Sequence, residues 1–326
     1  MRVLVTGGAG YIGSIVVEQL LERGHPVVVI DNLQAGNREA VLPEATFYEA
    51  DFGERTALEE IFEKHNINAV FHFAAETTVG FSMTDPARYF HSNVAKVVTL
   101  LDAMRGHGCN RFIFSSTAAI FGEPQYVPID EEHPQNPINA YGESKLMSER
   151  ILDWYHRAYE LKFNAFRYFN AAGASSRLGE SHKHEDHLIP SVIQVALGKR
   201  KHISIFGADY PTKDGTCIRD YIHVLDLAEA HILALENLEK HPAGRYNLGN
   251  GEGFSVLEVV EMVSEVSGRE IPKVEAPRRN GDPAVLIASS ELAKQELGWE
   301  PEYDSLEEII QTAWEWHRRH PDGYGD

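Results

Sequence analysis

Tyr141-Gly142-Glu143-Ser144-Lys145 sets a tyrosine and a lysine four positions apart. On a helix those two side chains share one face. A free phenol ionises near pH ~10, too high for a base at neutral pH, and a neighbouring ammonium lowers that value. The pair reads as proton-transfer machinery. About two dozen residues upstream, Ser115-Ser116-Thr117 follows an apolar run. A hydroxyl there can hydrogen-bond the oxygen that exchanges its proton with Tyr141.

A second cluster lies at the N-terminus. Thr6-Gly7-Gly8-Ala9-Gly10-Tyr11-Ile12-Gly13 follows the apolar run Val3-Leu4-Val5. Gly7 permits a sharp turn, Gly10 lets backbone N–H groups approach a pyrophosphate, and Gly13 lets a helix pack closely on a sheet. The helix N-terminus then faces the anion. Asp31 ends the next apolar run, 18 residues after Gly13. A carboxylate there accepts hydrogen bonds from adenosine ribose hydroxyls and repels a 2′-phosphate, which favours NAD over NADP. The positive nicotinamide of oxidised NAD would further favour the Tyr141 phenolate. Asn32 begins a turn, and Asp51 stands where it can reach the adenine.

The elements that position these groups alternate. Helical spacing of Ile12, Ile15, Val16 and Leu20 predicts a helix over 11–23, stopped by Gly24. Val27-Val28-Val29-Ile30 is apolar throughout, as a strand buried on both faces demands. Strands are predicted at 46–50, 69–73, 111–115 and 164–168, with helices at 55–65, 87–106 and 141–160. The expectation is an α/β fold, a doubly wound parallel (Rossmann) sheet. The second half is rich in loop signals, Pro190 among them, with helices at 226–238, 255–267 and near 305–319. It reads as a smaller C-terminal substrate-binding lobe. The expected division is 1–168 for NAD and 169–326 for substrate, with an interleaved boundary.

The 326 residues carry a net charge of −19. Nucleic acid and anionic membranes want the opposite sign and are not expected as partners. No run of about 18 apolar residues predicts a transmembrane helix, and the short apolar run after Arg2 is no signal peptide. Two cysteines, Cys109 and Cys217, outside any Cys-x-x-Cys pair, fit a reducing cytosol.

Glycine turn, strand-end aspartate, Ser-Ser-Thr and Tyr-x-x-x-Lys, in this order, resemble the extended short-chain dehydrogenase/reductase family. Within it the chain is similar to the UDP-glucose 4-epimerases over nearly its whole length. The carrying segments are Phe71 to Ala75, Phe112 to Ser116, Tyr141 to Met147, Arg167 to Asn170, Ile205 to Thr212, Arg219 to Val224 and Tyr246 to Gly249. The resemblance implies interconversion of UDP-galactose and UDP-glucose by inversion at C4 through a transient 4-keto sugar, with NAD regenerated. It assigns Tyr141 as base, Lys145 to the nicotinamide ribose and Thr117 to the sugar O4. Phe52, Phe73, Ala74, Ala75, Asn93, Ser115 and Tyr168 join Gly7, Gly10, Tyr11, Ile12, Gly13, Asp31, Asn32 and Asp51 around the cofactor. Asn170, His187, Leu188, Phe206, Arg219, Tyr221, Arg279 and Asp282 line the UDP-hexose. Arginine's planar fork suits a diphosphate.

Ungapped alignment places Leu286 beside the sugar's C2 substituent, where tyrosine excludes an N-acetyl group; weaker UDP-N-acetylhexosamine activity is expected. The resemblance also implies a homodimer through helices 87–106 and 141–160, the first with an apolar face of Val94, Val97, Val98 and Leu101. Two positions depart from the family pattern. Thr77 stands where some members have lysine, and His187 where others have asparagine. A dehydratase needs an acidic pair after the catalytic threonine, and Ala118-Ala119 stands there instead. Epimerases of UDP-glucuronate or UDP-arabinose, and a non-catalytic NAD-sensing module, stay open. Finally, Ser181-His182-Lys183-His184-Glu185-Asp186-His187 carries three histidines. Its lysine and loop setting point to a polar substrate-side loop, and no metal is expected.

Overall fold

The computed structural model describes residues 1–183, 185–279 and 282–325. Seven parallel strands form one sheet: β1 (Val3–Thr6), β2 (Val27–Asp31), β3 (Thr46–Glu49), β4 (Ala69–His72), β5 (Arg111–Thr117), β6 (Lys162–Tyr168) and β7 (Ala243–Leu248). Their spatial order is β7-β6-β5-β4-β1-β2-β3. The chain runs outward from β1 through β3, then crosses back to β4, so the strand order reverses between β1 and β4. A ligand crevice opens outside the carboxyl ends of the strands at such a switch point.

Both faces of the sheet are covered. Val3 and Val5 pack into one core with Val16, Leu20, Leu227 and Ile232, whereas Leu4 packs into the other with Leu58, Leu101 and Phe112. That alternation follows from the period of two along a strand. It explains why β1 and β2 are apolar at almost every position.

The predicted elements are present with small shifts of boundary. Helix Tyr11–Glu22, helix Arg55–His65 and helix Ala140–Tyr159 stand where expected. The helix predicted over 87–106 is interrupted by a π turn at His91–Ala95. Among the elements not foreseen, three bear on the architecture. β7 lies deep in the second half of the sequence yet pairs with β6 from Ala243↔Phe163 to Leu248↔Tyr168. Helix Leu188–Ala196 begins around Pro190, a residue read from sequence as a loop signal. Helix Glu291–Leu297 is only seven residues long.

Beyond the sheet, helices Leu188–Ala196, Val256–Ser267 and Leu306–Arg319 share a separate core of Ile189, Val192, Val259, Val263 and Ile309. Ser255 and Glu258 close a capping box on the second of these. Three small sheets hang beside this core. Asn170–Ala172 pairs with Tyr221–His223, Ile203–Phe206 pairs with Lys273–Ala276, and Ile218–Arg219 lies between Phe254–Ser255 and Val285–Leu286. Among the described residues no helix is long and apolar enough to cross a membrane.

Candidate active site

The glycine turn links β1 to helix Tyr11–Glu22. Gly7 has φ +75°, and a Cβ on it would lie 2.5 Å from the Ala74 nitrogen. The turn after β1 and the loop after β4 are therefore in contact at the switch point. A Cβ on Gly13 would lie 2.2 Å from the Gly7 carbonyl oxygen, so only glycine lets the helix start this close to the turn. Beside them Asp31 accepts N–H groups of Ala9 at 3.0 Å and Leu33 at 2.9 Å. Burial raises its pKa against those two bonds. Backbone bared by glycine, with a carboxylate at the end of β2, fits a dinucleotide's pyrophosphate and ribose.

Other cofactor candidates do structural work as well. The Tyr11 hydroxyl donates to the Gly173 carbonyl at 2.7 Å, tying the turn to the second half of the chain. Ile12 packs on the core. Asn32 donates to Asp51 at 3.2 Å, and Asp51 is ion-paired with Lys96 at 2.6 Å. Burial opposes the Asp51 charge, but Lys96 and the Gly53 N–H win and lower its pKa. Phe52 is buried edge-on to His72, and Phe73 lies near His231. The N–H groups of Phe73 and Ala74 both donate to Thr6, with Ala75 next in the loop. Asn93, on the π turn, accepts the Glu76 N–H at 2.8 Å and donates to Ser144 at 3.0 Å. It thus ties the loop after β4 to the Tyr141 helix. A π turn is where helices often carry such a residue.

Helix Ala140–Tyr159 starts at Asn139, whose side chain accepts the Gly142 N–H at 2.8 Å. That cap orients Tyr141, one turn before Lys145. The Tyr141 side chain is half-buried and lies beside Thr117 at the end of β5. Burial pushes its pKa up to about 12, Thr117 pulls it back and Tyr89 adds to the rise. The Lys145 ammonium donates to the Ser115 carbonyl at 2.8 Å. Burial drives its pKa down to about 7, against the attraction of Glu149. Burial thus disfavours the charged form of both side chains in the protein alone. This differs from the lowered phenol expected from Tyr-x-x-x-Lys spacing. Desolvation outweighs a lysine that is engaged with β5, which leaves the cofactor's positive ring as the stronger influence on the phenol. Tyr168 closes the pocket by donating its hydroxyl to Ser115.

The sugar-nucleotide candidates meet in the small sheets. Arg219 donates to Asp282 and to the Ile218 carbonyl. The Arg279 guanidinium lies 4.2 Å from the centre of the Phe206 ring. Asn170 donates to the Asp220 carbonyl at 2.7 Å, on the strand pair that carries Tyr221. Burial raises the Tyr221 pKa. Leu286 is the register partner of Arg219 and packs with Ala118 and Phe169 against Ile120, Phe121 and Leu146. That places it on the same small cluster as the residue after Thr117. His187 caps helix Leu188–Ala196, which Leu188 opens. His184, Asn280 and Gly281 lie outside the described residues.

Two residues were missed from sequence. Glu149, one turn beyond Lys145, is buried and bound by Ser116, Arg167 and Arg245. Its signal was the i, i+4 pairing with Lys145. Asp220 accepts backbone N–H groups of Asn250, Gly251 and Ala288, bracketing three loops, while burial raises its pKa to about 6. Its signal was its place between Arg219 and Tyr221.

The model of the NAD dependent epimerase/dehydratase family matches residues 3–249. The chain belongs to that family. It is 54% identical to a UDP-glucose 4-epimerase of Halalkalibacterium halodurans, over 99% of this chain and 98% of the relative. It is also similar to a crystal structure of a UDP-glucose 4-epimerase, with a TM-score of 0.97 and 50% identity over the whole of both chains. A UDP-glucose 4-epimerase of Bifidobacterium longum, solved in complex with NAD+ and UDP, superposes with a TM-score of 0.94 at 37% identity, covering 99% of this chain and 100% of that one.

Proposed function

We propose that the chain interconverts UDP-galactose and UDP-glucose by inverting C4 through a transient 4-keto sugar, using NAD that is regenerated in each turnover. The observation that carries this is Tyr141 set beside Thr117 at the end of β5, with Ala118 and Ala119 rather than carboxylates after that threonine. That arrangement can move a proton on and off one sugar hydroxyl but offers no acid to eliminate water. Bound NAD supplies a reversible acceptor of hydride. Tyr141 takes and returns the C4 hydroxyl proton, with Thr117 holding the same oxygen. Lys145 and Tyr168 fix the surroundings of Ser115 at the end of β5. Gly7, Gly10 and Gly13 bare the backbone for the pyrophosphate, and Asp31 takes the ribose. Arg219 and Arg279 grip the diphosphate while Asn170, Leu188, Phe206, Tyr221 and Asp282 frame the nucleotide. A fixed UDP lets the sugar present either face.

We read residues 1–168 as the cofactor unit and 169–326 as the sugar-nucleotide unit, with the boundary interleaved at β7. The same reading makes the enzyme a cytoplasmic homodimer. Free, buried Cys109 and Cys217 suit a reducing compartment. Val97 and Leu101 are used in the chain's own core. Support for a two-fold contact comes instead from Met147, Trp154 and Tyr159, exposed on the Tyr141 helix.

Incubation of purified protein with UDP-galactose, without added NAD or reductant, tests the reaction. UDP-glucose should form while co-purified NAD stays at constant level. NADH rising in step with product would make the protein a dehydrogenase and end this reading.

A further inference from the structure

The loop before helix Leu188–Ala196 gathers four donors, among them His187, which the resemblance sets beside the sugar nucleotide. Glu180, His182, Glu185 and His187 each bring one ligand atom, and these atoms lie within 4.8 Å of one another. His187 Nδ1 is 2.8 Å from Glu180 and 2.9 Å from Glu185. His182 Nδ1 is 3.5 Å from Glu180 and 3.6 Å from Glu185. Donors on a tetrahedral metal with bonds of ~2.0–2.2 Å stand about 3.3–3.6 Å apart. The two His182 distances match such a site, whereas the two His187 distances are hydrogen-bond contacts that an ion between the groups would open.

We propose that these four side chains bind one divalent transition-metal ion, of the zinc class, which pins the loop between the cofactor and nucleotide sides of the crevice. The carrying observation is His182. Its Nδ1 is shut off from solvent and has no hydrogen-bond partner, yet it is turned toward two carboxylates. The carboxylates themselves are buried, with side chains 6% and 5% exposed. A protonated His187 could bridge them alone, but it would leave the His182 nitrogen idle. A metal uses all four, and paired imidazole and carboxylate donors suit zinc.

The sequence argued against a metal through Lys183, but that ammonium points away. It donates to the Leu33 and Gln34 carbonyls at 2.9 and 3.1 Å. Arg200 is likewise spent on the Glu185 carbonyl and Ser191. Asn37 holds the Ser181 carbonyl at 2.9 Å. The loop therefore joins the segment after Asp31 to the helix that Leu188 opens, and an ion at its centre would lock that joint. The site does not depend on which sugar the enzyme turns over.

The test uses tag-free, NAD-loaded enzyme, stripped with chelator and titrated with Zn2+ alone by calorimetry. One ion per chain is expected, together with an upward shift in melting temperature. Co2+ in its place should give the visible bands of a tetrahedral site. Glu185→Gln and His182→Ala, folded by circular dichroism, should each weaken Zn2+ at least about tenfold, the scale on which even outer partners of a metal act. Binding without stoichiometry, or equal in the variants and the parent, would overturn the proposal. So would no binding at saturating Zn2+, which leaves a histidine–glutamate ion pair.

Discussion

The turn at Gly7–Gly13 is made of backbone, whereas the clamp around Arg219 is made of side chains. In the first, missing Cβ atoms create the space, and a strand-end carboxylate takes two N–H groups. In the second, charged and aromatic groups from short strands and from the segment between Ala276 and Val285 hold one another. A site made of bared backbone is written in a short stretch, because the glycines belong to one turn: Gly10 and Gly13 close on Gly7, and Gly7 in turn meets the loop after β4. A site made of side chains can collect them from 206 to 286, so its parts carry no common spacing. The comparison predicts that the two regions fail separately.

The largest effect should come from Tyr141, which serves both. Tyr141→Phe should lower kcat by ~10²–10⁴-fold while NAD content and UDP affinity by calorimetry stay unchanged. Ordinary turnover would remove Tyr141 from the chemistry. Gly7→Ala should break the backbone region alone. A Cβ at φ +75° that meets the Ala74 nitrogen at 2.5 Å should cost about 2–4 kcal/mol. The measured consequences would be a lower melting temperature and protein purified largely without NAD.

The regions should also respond oppositely to acid. Burial lowers His231, beneath Phe73 and Tyr168, to about 4 from 6.5. Its contribution to stability is whole above pH 6.5 and is lost as pH falls to about 4. Asp220 is raised to about 6 from 3.8, so its contribution is whole below pH 3.8 and is lost as pH rises through 6. Each is worth about 3 kcal/mol. In urea unfolding from about pH 4 to 7, His231→Phe should flatten the loss on acidification. Asp220→Asn should steepen it.

Arg219→Ala should raise KM for UDP-sugars roughly 10–100-fold, the worth of charge-assisted bonds of about 1.5–3 kcal/mol, with NAD content intact. Loss of NAD together with UDP affinity would show that the two regions are one. Smallest is Leu286→Tyr. It should cut the turnover of UDP-N-acetylglucosamine relative to UDP-glucose roughly tenfold. Equal loss of both would make Leu286 ordinary packing.

Most of the cofactor region was legible because its signals are local: Gly7, Gly10, Gly13 and Asp31 occupy one βαβ unit. The nucleotide clamp was legible only through its likeness to known enzymes. β7 was missed because it is an edge strand. Its alternation is short: only Tyr246 and Leu248 enter the core, while Arg245 is spent on Glu149 and Asp153 and Asn247 on Glu131 and Ile129. Helix Leu188–Ala196 was hidden by Pro190, whose ring is harmless in a first turn where its N–H would have no partner. Spacing reports which groups stand near Tyr141 and says nothing of the desolvation that raises its pKa in the protein alone.

The late arrival of β7 also governs how the enzyme is made. During synthesis β6 is complete about 75 residues before its neighbour emerges, a delay on the order of 4–15 s at ~5–20 residues per second. For that time β6 is an open edge flanked by an unfinished ion network, with Glu149 bound by Arg167 but not yet by Arg245. Such an edge is a template for a second nascent chain. Ribosome spacing and chaperone capture over this stretch therefore bear on the yield of active protein as directly as any residue in the crevice.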